Sequence, residues 1–257
     1  MKVVAIIQAR MGSSRLPGKV LAEVCGKPIL HYVISRARQA RTLNLVVVAT
    51  SDDSTDDVIE EFCEINRVQY FRGSQSDVLD RYYHAAKHFH ADAIVRLTAD
   101  CPLLDPIVID EVVRTFVSGK FDYVSSAENY PDGLDTEIFS WKALKKTWQE
   151  ARLLSEREHV TSYIIKNPRR FRLGSVINDQ DLSHMRWTVD EPEDLELVRR
   201  VYQALVHKPI FGMHDILALF QQNPSLFTIN AGFSRNEGYQ RSLREDKSKQ
   251  KAIWRMM

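Results

Sequence analysis

A chain of 257 residues, 44% hydrophobic and 27% charged, is long enough to bury a sizeable core without disulfides or a structural metal. Its 35 basic and 34 acidic residues leave a formal charge of +1, which excludes a global field drawing it to nucleic acid or a membrane surface, so anion recognition has to come from local clusters. Cys25, Cys63 and Cys101 lie far apart and offer neither a disulfide framework nor a CxxC metal pair, the pattern of a reducing cytoplasm.

Apolar runs alternate with amphipathic helical patterns. Val3–Ile7 predicts a first buried strand; the apolar stretch that begins at Met1 is too short for a signal peptide or a membrane span. Pro28–Arg38 predicts a helix with proline in its first turn, where the missing N–H is harmless. Leu45–Ala49 is a second strand. Asp56–Ile65 is a helix with Val58, Ile59, Phe62 and Ile65 on one face, and Val68–Phe71 a short strand. Asp77–Phe89 is a helix with Ser76 as candidate N-cap, Ala93–Leu97 a third buried strand, and Ile107–Val117 a helix opened by Asp105 and Pro106. This alternation implies an α/β fold with a mostly parallel sheet flanked by helices. In such sheets ligands bind beyond the carboxyl ends of the strands, so the residues after Ile7, Ala49 and Leu97 are the ones to read.

Past residue 120 the pattern loosens. Asp122–Ser125 and Glu137–Phe139 predict short strands joined by the loop Ala127–Thr136, followed by helices near Lys142–Leu153 and Glu156–Lys166. Arg172–Val176 and Arg186–Val189 are further strands, and Pro192–Leu205 is a helix with an apolar stripe of Leu195, Val198, Val201, Tyr202 and Leu205. The tail from Arg241 carries six Lys/Arg against two Asp/Glu and reads as a solvated or frayed terminus; Leu243, Ile253 and Trp254 leave room for a docked helix.

The first loop, Gln8-Ala9-Arg10-Met11-Gly12-Ser13-Ser14-Arg15-Leu16-Pro17-Gly18-Lys19, holds three cations, two glycines and two serines after a buried strand. A polyphosphate needs backbone N–H groups that can come close, hence Gly and Ser, and fixed positive charge, here Arg10, Arg15 and Lys19. The same groups can stabilise charge that builds on a leaving pyrophosphate. The loop is no P-loop, because Gly12 and Gly18 are one residue too far apart and Val20 stands in place of the Ser/Thr, and no GxGxxG fingerprint is present. The rival reading is a basic surface loop that binds nothing.

Asp100 follows the third strand and Asp190 a later one. Two carboxylates converging near a basic loop suit Mg²⁺, which takes hard oxygen ligands and completes its shell with phosphate and water. Asp190 is also open to reading as the acidic start of the helix at Pro192; Asp105 reads as a cap, and Glu191, Glu193 and Asp194 as helix-start charges. His159 is open to substrate contact or to a structural hydrogen bond, and Cys101, with no histidine nearby in sequence, reads as a small packing residue.

The segments Ile7–Leu21, Asp77–Arg81, Leu97–Leu103, Gly133–Phe139, Arg157–Thr161, Thr188–Leu195 and Asn236–Tyr239 together resemble the cytidylyltransferases that make CMP-activated acidic sugars, and most closely the branch typified by SpsF. The resemblance implies a GT-A-like nucleotidyltransferase fold over 1–230, with 122–180 as a substrate and dimerisation subregion and a charged extension over 231–257. It implies transfer of a nucleotidyl group from CTP to a sugar or sugar-acid hydroxyl, with Mg²⁺ on Asp100 and Asp190, and a homodimer. By the same resemblance, Arg10, Lys19 and Asp100 are the candidate catalytic residues. Ala9, Arg10, Gly12, Ser13, Arg15, Lys19 and Thr98 match nucleotide-binding positions, Asp80 and Arg81 lie near the base, and Glu137 and His159 face the sugar. Gln8 stands where the octulosonate enzymes have proline, Thr98-Ala99-Asp100 replaces their Gln-Gly-Asp, and the middle segment matches them poorly, which leaves the acceptor open. Three alternatives remain: a GT-A glycosyltransferase, for which the DxD motif is missing; a nucleotidyltransferase for a polyol or alcohol phosphate; and a nucleotide-binding scaffold, against which both aspartates speak.

Overall fold

The structure, a computed structural model, describes residues 1–233, 235 and 237–256, the side chains of 237 and 249–256 excepted. In chain order the elements are β1 (Val3–Gln8), the small hairpin β2 (Glu23–Val24) and β3 (Lys27–Pro28), α1 (Ile29–Ala37), β4 (Leu45–Ser51), α2 (Asp57–Ile65), β5 (Gln69–Gly73), α3 (Val78–His88), β6 (Ala93–Thr98) and α4 (Pro106–Gly119). The second half adds β7 (Tyr123–Ser126), β8 (Glu137–Ser140), α5 (Trp141–Glu150), α6 (Leu154–Glu158), α7 (Ser162–Lys166), β9 (Leu173–Val176), α8 (Pro192–Ala204), α9 (Met213–Gln222) and α10 (Glu237–Met256).

A seven-stranded sheet runs β5-β4-β1-β6-β8-β7-β9. β1 pairs in parallel with β4 and β6, and Gln8 lies opposite both Ala49 and Thr98. The three strand ends are therefore level, and the loops that follow them open on one edge. β8 is antiparallel to both its neighbours, which makes the sheet mixed. Alternation along β1 feeds two cores: Val3, Ala5 and Ile7 pack with α1, α4 and α8, while Val4 and Ile6 pack with α3 and α5. Burial on both faces is what a continuous β-branched run in a parallel strand requires. Among the described residues no helix is long and apolar enough to cross a membrane.

Several expectations shift. In α2 the buried face is Ile59 and Cys63, whereas Val58 and Ile65 are 43% and 73% exposed, because α2 lies over the edge strand β5, where only a narrow stripe meets the core. Asp77, not Ser76, caps α3, its carboxylate accepting from the Asp80 N–H. The helix expected over Glu156–Lys166 is broken into α6 and α7 by Val160, whose φ is +46°. The strand expected over Arg186–Val189 is absent. The segment makes one bridge, Asp132 to Arg186, and otherwise hydrogen-bonds to loops: Trp187 N–H to the Asp132 carbonyl and Val189 N–H to the Asp100 carbonyl. Gly133 permits that crossing, since a Cβ there would lie 2.6 Å from the Thr188 nitrogen, and its φ of +105° favours glycine as well.

The frayed tail is also corrected. α10 packs on α6, with Ser242 and Asp246 buried there. Its docking is polar, so a search for apolar periodicity does not see it. Asn236 of the Asn236–Tyr239 motif, and the side chains of Ile253 and Trp254, lie outside the described residues.

Candidate active site

A cleft of about 580 Å³ opens at the level ends of β1 and β6. One wall is the first loop, placed by three restraints. β1 runs out into the Ala9 N–H, which donates to the Ala49 carbonyl. Buried Asp56 accepts from the Met11 N–H at 2.7 Å and from the Ser51 N–H at 3.2 Å, so the loop after β4 holds the loop after β1. Gly18, at φ +72°, donates to the Met11 carbonyl and closes the turn that carries Lys19 inward. Gly12 has open space around its Cα, which leaves the backbone approachable.

Buried Lys19 is the centre of the site. Its Nζ lies 2.7 Å from Asp100 Oδ2, 2.6 Å from Asp190 Oδ1 and 2.8 Å from the Val189 carbonyl. Burial alone would lower the pKa of this ammonium, but the two carboxylates outweigh it and hold it above the ordinary lysine value. Burial pushes the Asp100 carboxyl up, and Lys19 with the hydrogen bonds at its head pulls it further down, to about 2. Asp190 is fixed from its other side, with Oδ2 2.7 Å from Arg15 and 3.2 Å from Arg186. Arg186 is buried and also binds Asp194 at 2.9 Å and Asp132 at 3.3 Å. Asp194 in turn accepts the N–H groups of Asp190 and Glu191.

The cations differ in how far they are committed. Arg15 is paired to Asp190 and Glu191, each at 2.7 Å. Arg10 is exposed and makes no ion pair among the described residues. Arg81 is buried on the floor of the cleft, and the one side-chain hydrogen bond it makes among the described residues is to the Ser74 carbonyl at 3.2 Å. Burial lowers its pKa, and the positive charge of Arg10 adds to the effect. Two guanidinium groups with no ion pair among the described residues thus face one cavity, the arrangement that an incoming polyanion relieves.

The structure brings Ala9, Arg10, Gly12, Ser13, Arg15, Lys19, Arg81, Thr98, Asp100, His159 and Asp190 to this cleft. It does not bring Asp80 or Glu137. Asp80 accepts from Trp148 Nε1 at 2.7 Å, against α5. Glu137 is spent on Arg96 at 2.5 Å, Tyr123 at 2.6 Å and Thr161 at 2.7 Å, because β8 sets it opposite Arg96 across the antiparallel pair. Cys101 is buried, and burial drives its thiol pKa well up, as suits a packing residue. Asp56, Arg186 and the α10 residues Arg241 and Ser242 went unseen in the sequence. Only Arg186 had a signal there: with Asp190 and Asp194 it forms an i, i+4, i+8 series.

A mixed α/β sheet with a basic loop at its edge, facing two aspartates that share one cation, defines a nucleotidyltransferase fold. Residues 4–231 match the cytidylyltransferase family profile. An uncharacterized protein of Methanocaldococcus jannaschii is 37% identical over 235 residues, 90% of this chain and 95% of the relative. The spore coat polysaccharide biosynthesis protein SpsF of Bacillus subtilis is 32% identical over 233 residues, 88% and 97% respectively. The solved structure of a cytidylyltransferase from Leptospira borgpetersenii superposes with a TM-score of 0.85 at 36% identity, covering 91% of this chain and all of that one. The chain belongs to the cytidylyltransferase family.

Proposed function

We propose that this enzyme transfers CMP from CTP to a hydroxyl of a sugar or sugar acid, releasing pyrophosphate, in the synthesis of a surface polysaccharide or glycoconjugate. The observation that carries the reading is the Lys19 ammonium held by Asp100 and Asp190 at the mouth of the basic loop. The triphosphate lies along residues 9–19, with positive charge supplied by Arg10 in that loop and by Arg81 beside it in the cleft. Lys19 and Arg15 are positioned to neutralise the leaving pyrophosphate, and the acceptor hydroxyl attacks the α-phosphorus in line. Positioning and charge stabilisation account for the rate, with no covalent enzyme intermediate.

The donor set fits a divalent cation. The two carboxylates already converge on one positive charge, and Asp100 Oδ1 lies 3.6 Å from the Cys101 thiol, a weak contact that a cation can replace. Among the described residues no group of three or more His, Cys, Asp or Glu side chains is arranged for a metal, which suits an ion that takes one or two carboxylates and otherwise phosphate and water. We read Asp100 and Asp190 as holding Mg²⁺, which when bound would screen the phosphate charge and polarise the α-phosphate. Asp80 directly precedes Arg81 in α3 and is read as acting through it. A cytoplasmic setting is supported by three free thiols, two of them buried, and a homodimer rests on the family resemblance.

The test is pyrophosphate release with Mg²⁺, each of the four nucleoside triphosphates, and a panel of acidic sugars, neutral sugars and polyol phosphates. Acceptor-dependent release with CTP alone is the expected result. Failure of the protein to bind any nucleotide in calorimetry would remove the reading.

A further inference from the structure

The cleft wall opposite the basic loop is built by the end of α6 and by α10, and α10 lies beyond the 4–231 segment that matches the family. The two are joined by side chains more than eighty positions apart in the chain. Ser242 Oγ lies 2.5 Å from Glu158 Oε2 and 3.0 Å from His159 Nε2. The hydroxyl has one proton. The charge-assisted contact to Glu158 takes it in preference to the Gly238 carbonyl at 3.3 Å, so His159 Nε2–H must be the donor to Ser242 Oγ. The result is a directed relay, His159 to Ser242 to Glu158, which orients the carboxylate and leaves Glu158 Oε1 without a partner among the described residues.

The surroundings lock this relay. Tyr239 packs edge-on against His159 at 5.0 Å, and its hydroxyl lies 3.1 Å from Ser162 Oγ. Asp246 accepts the Ser155 N–H at 3.3 Å. Val160 follows His159 at φ +46°, a conformation that a β-branched residue rarely adopts and that separates His159, on the cleft, from Thr161, on Glu137. Burial lowers the His159 pKa, so the ring brings no positive charge to this wall near pH 7. Arg241 and Glu245, the other charged residues lining this wall among the described residues, pair with each other at 3.4 Å. The residual charge offered to a ligand here is therefore the negative charge of Glu158.

We propose that Glu158 binds the acceptor, its open oxygen accepting a hydroxyl or ammonium hydrogen, with Ser242 and His159 as positioning residues and α10 as the element that sets acceptor selectivity. The acceptor turns a hydroxyl or amino group, not a carboxylate, toward α10. This inference rests on the nucleotidyl-transfer reading above, with CTP along the opposite wall.

The test uses the full chain loaded with CTP and Mg²⁺. Binding of glucosamine, mannose, N-acetylneuraminate and 3-deoxy-manno-octulosonate is followed by saturation-transfer NMR, and CTP affinity by calorimetry. At least one probe is expected to bind the wild type. Glu158→Gln, which keeps shape, should weaken that probe tenfold or more while the Kd for CTP stays within twofold. Ser242→Ala should weaken it by less, and Ser242→Thr should restore it, a rescue that a role in folding alone does not produce. Probe affinity indifferent to Glu158→Gln, a parallel loss of CTP affinity in that variant, or no probe bound to the CTP-loaded wild type would each overturn the proposal. Wild-type protein that fails to bind CTP at all would overturn the nucleotidyl reading as well, a result distinguishable from the others by the calorimetry.

Discussion

The two walls of the cleft are made in different ways. The wall over residues 8–19 is backbone and cations at a sheet edge, set by the register of β1 with β4 and β6 and pinned by one buried carboxylate, Asp56. The opposite wall is a chain of side chains, His159, Ser242 and Glu158, that exists only because α10 returns to α6 from 84 residues away. The first wall is ready to meet a phosphate chain of any nucleotide. The second is specific in shape and charge. Chemistry shared by the class sits on the part of the fold that short-range sequence determines, and selection sits on the part that tertiary contact assembles.

The largest way to separate the walls is Asp100→Ala. On the proposed reading it removes a carboxylate that faces the phosphates, so kcat for pyrophosphate release is expected to fall by about 10³, in the range seen when one preorganised charge-stabilising group is lost. Near-normal turnover would mean that the pair of aspartates is not the reactive focus. Next in size is Glu137→Gln. Glu137 lies outside the cleft, paired with Arg96 at 2.5 Å and with both partners largely buried. Breaking such a pair from one side typically costs about 3 kcal/mol or more, readable as a shift in urea midpoint. A selective rise in acceptor KM with unchanged stability would instead return Glu137 to the sugar-facing role that the resemblance implies.

These outcomes bear on what was legible in the sequence. The loop from Ala9 to Lys19 and the position of Asp100 could be read because buried parallel strands announce themselves as apolar runs and their carboxyl ends gather the ligand. Asp190 lines the cleft as its place after an apolar segment suggests, but that segment is held by the Gly133 loop and the Asp100 carbonyl, not by strand pairing. Glu137 was misplaced because only the β6–β8 register reveals that Arg96 stands opposite. The α10 wall could not be read from periodicity, since Ser242 and Asp246 dock through hydrogen bonds and the helix surface is mostly charged.

A smaller effect is expected from pH. The Asp100 carboxyl sits at about 2 in the fold against an ordinary 3.8, so between those values the unfolded chain binds more protons than the folded one. Its contribution is therefore complete above the unfolded value and is lost as pH falls toward 2, amounting to roughly 2 kcal/mol. Acid unfolding followed by circular dichroism should show this loss, and Asp100→Asn should flatten the curve across that window. An unchanged slope in the variant would place the acid sensitivity elsewhere.

The smallest effect tests how the loop wall stores its charge. Arg15 divides its guanidinium between Asp190 Oδ2 and Glu191 Oε1, each at 2.7 Å. A triphosphate has to compete with those carboxylates for it, whereas Arg10 and Arg81 make no ion pair among the described residues. Glu191→Ala should therefore loosen the fold slightly, by about 0.5 kcal/mol, the scale of a partly exposed ion pair. It should also tighten CTP binding by about twofold, because the same interaction free energy becomes available to the phosphates. Arg15→Ala should weaken CTP binding, and the pair of variants read by calorimetry gives opposite signs if Arg15 reaches the nucleotide. Equal signs would assign Arg15 wholly to holding Asp190 in place, leaving Arg10, Lys19 and Arg81 as the cations that meet the triphosphate.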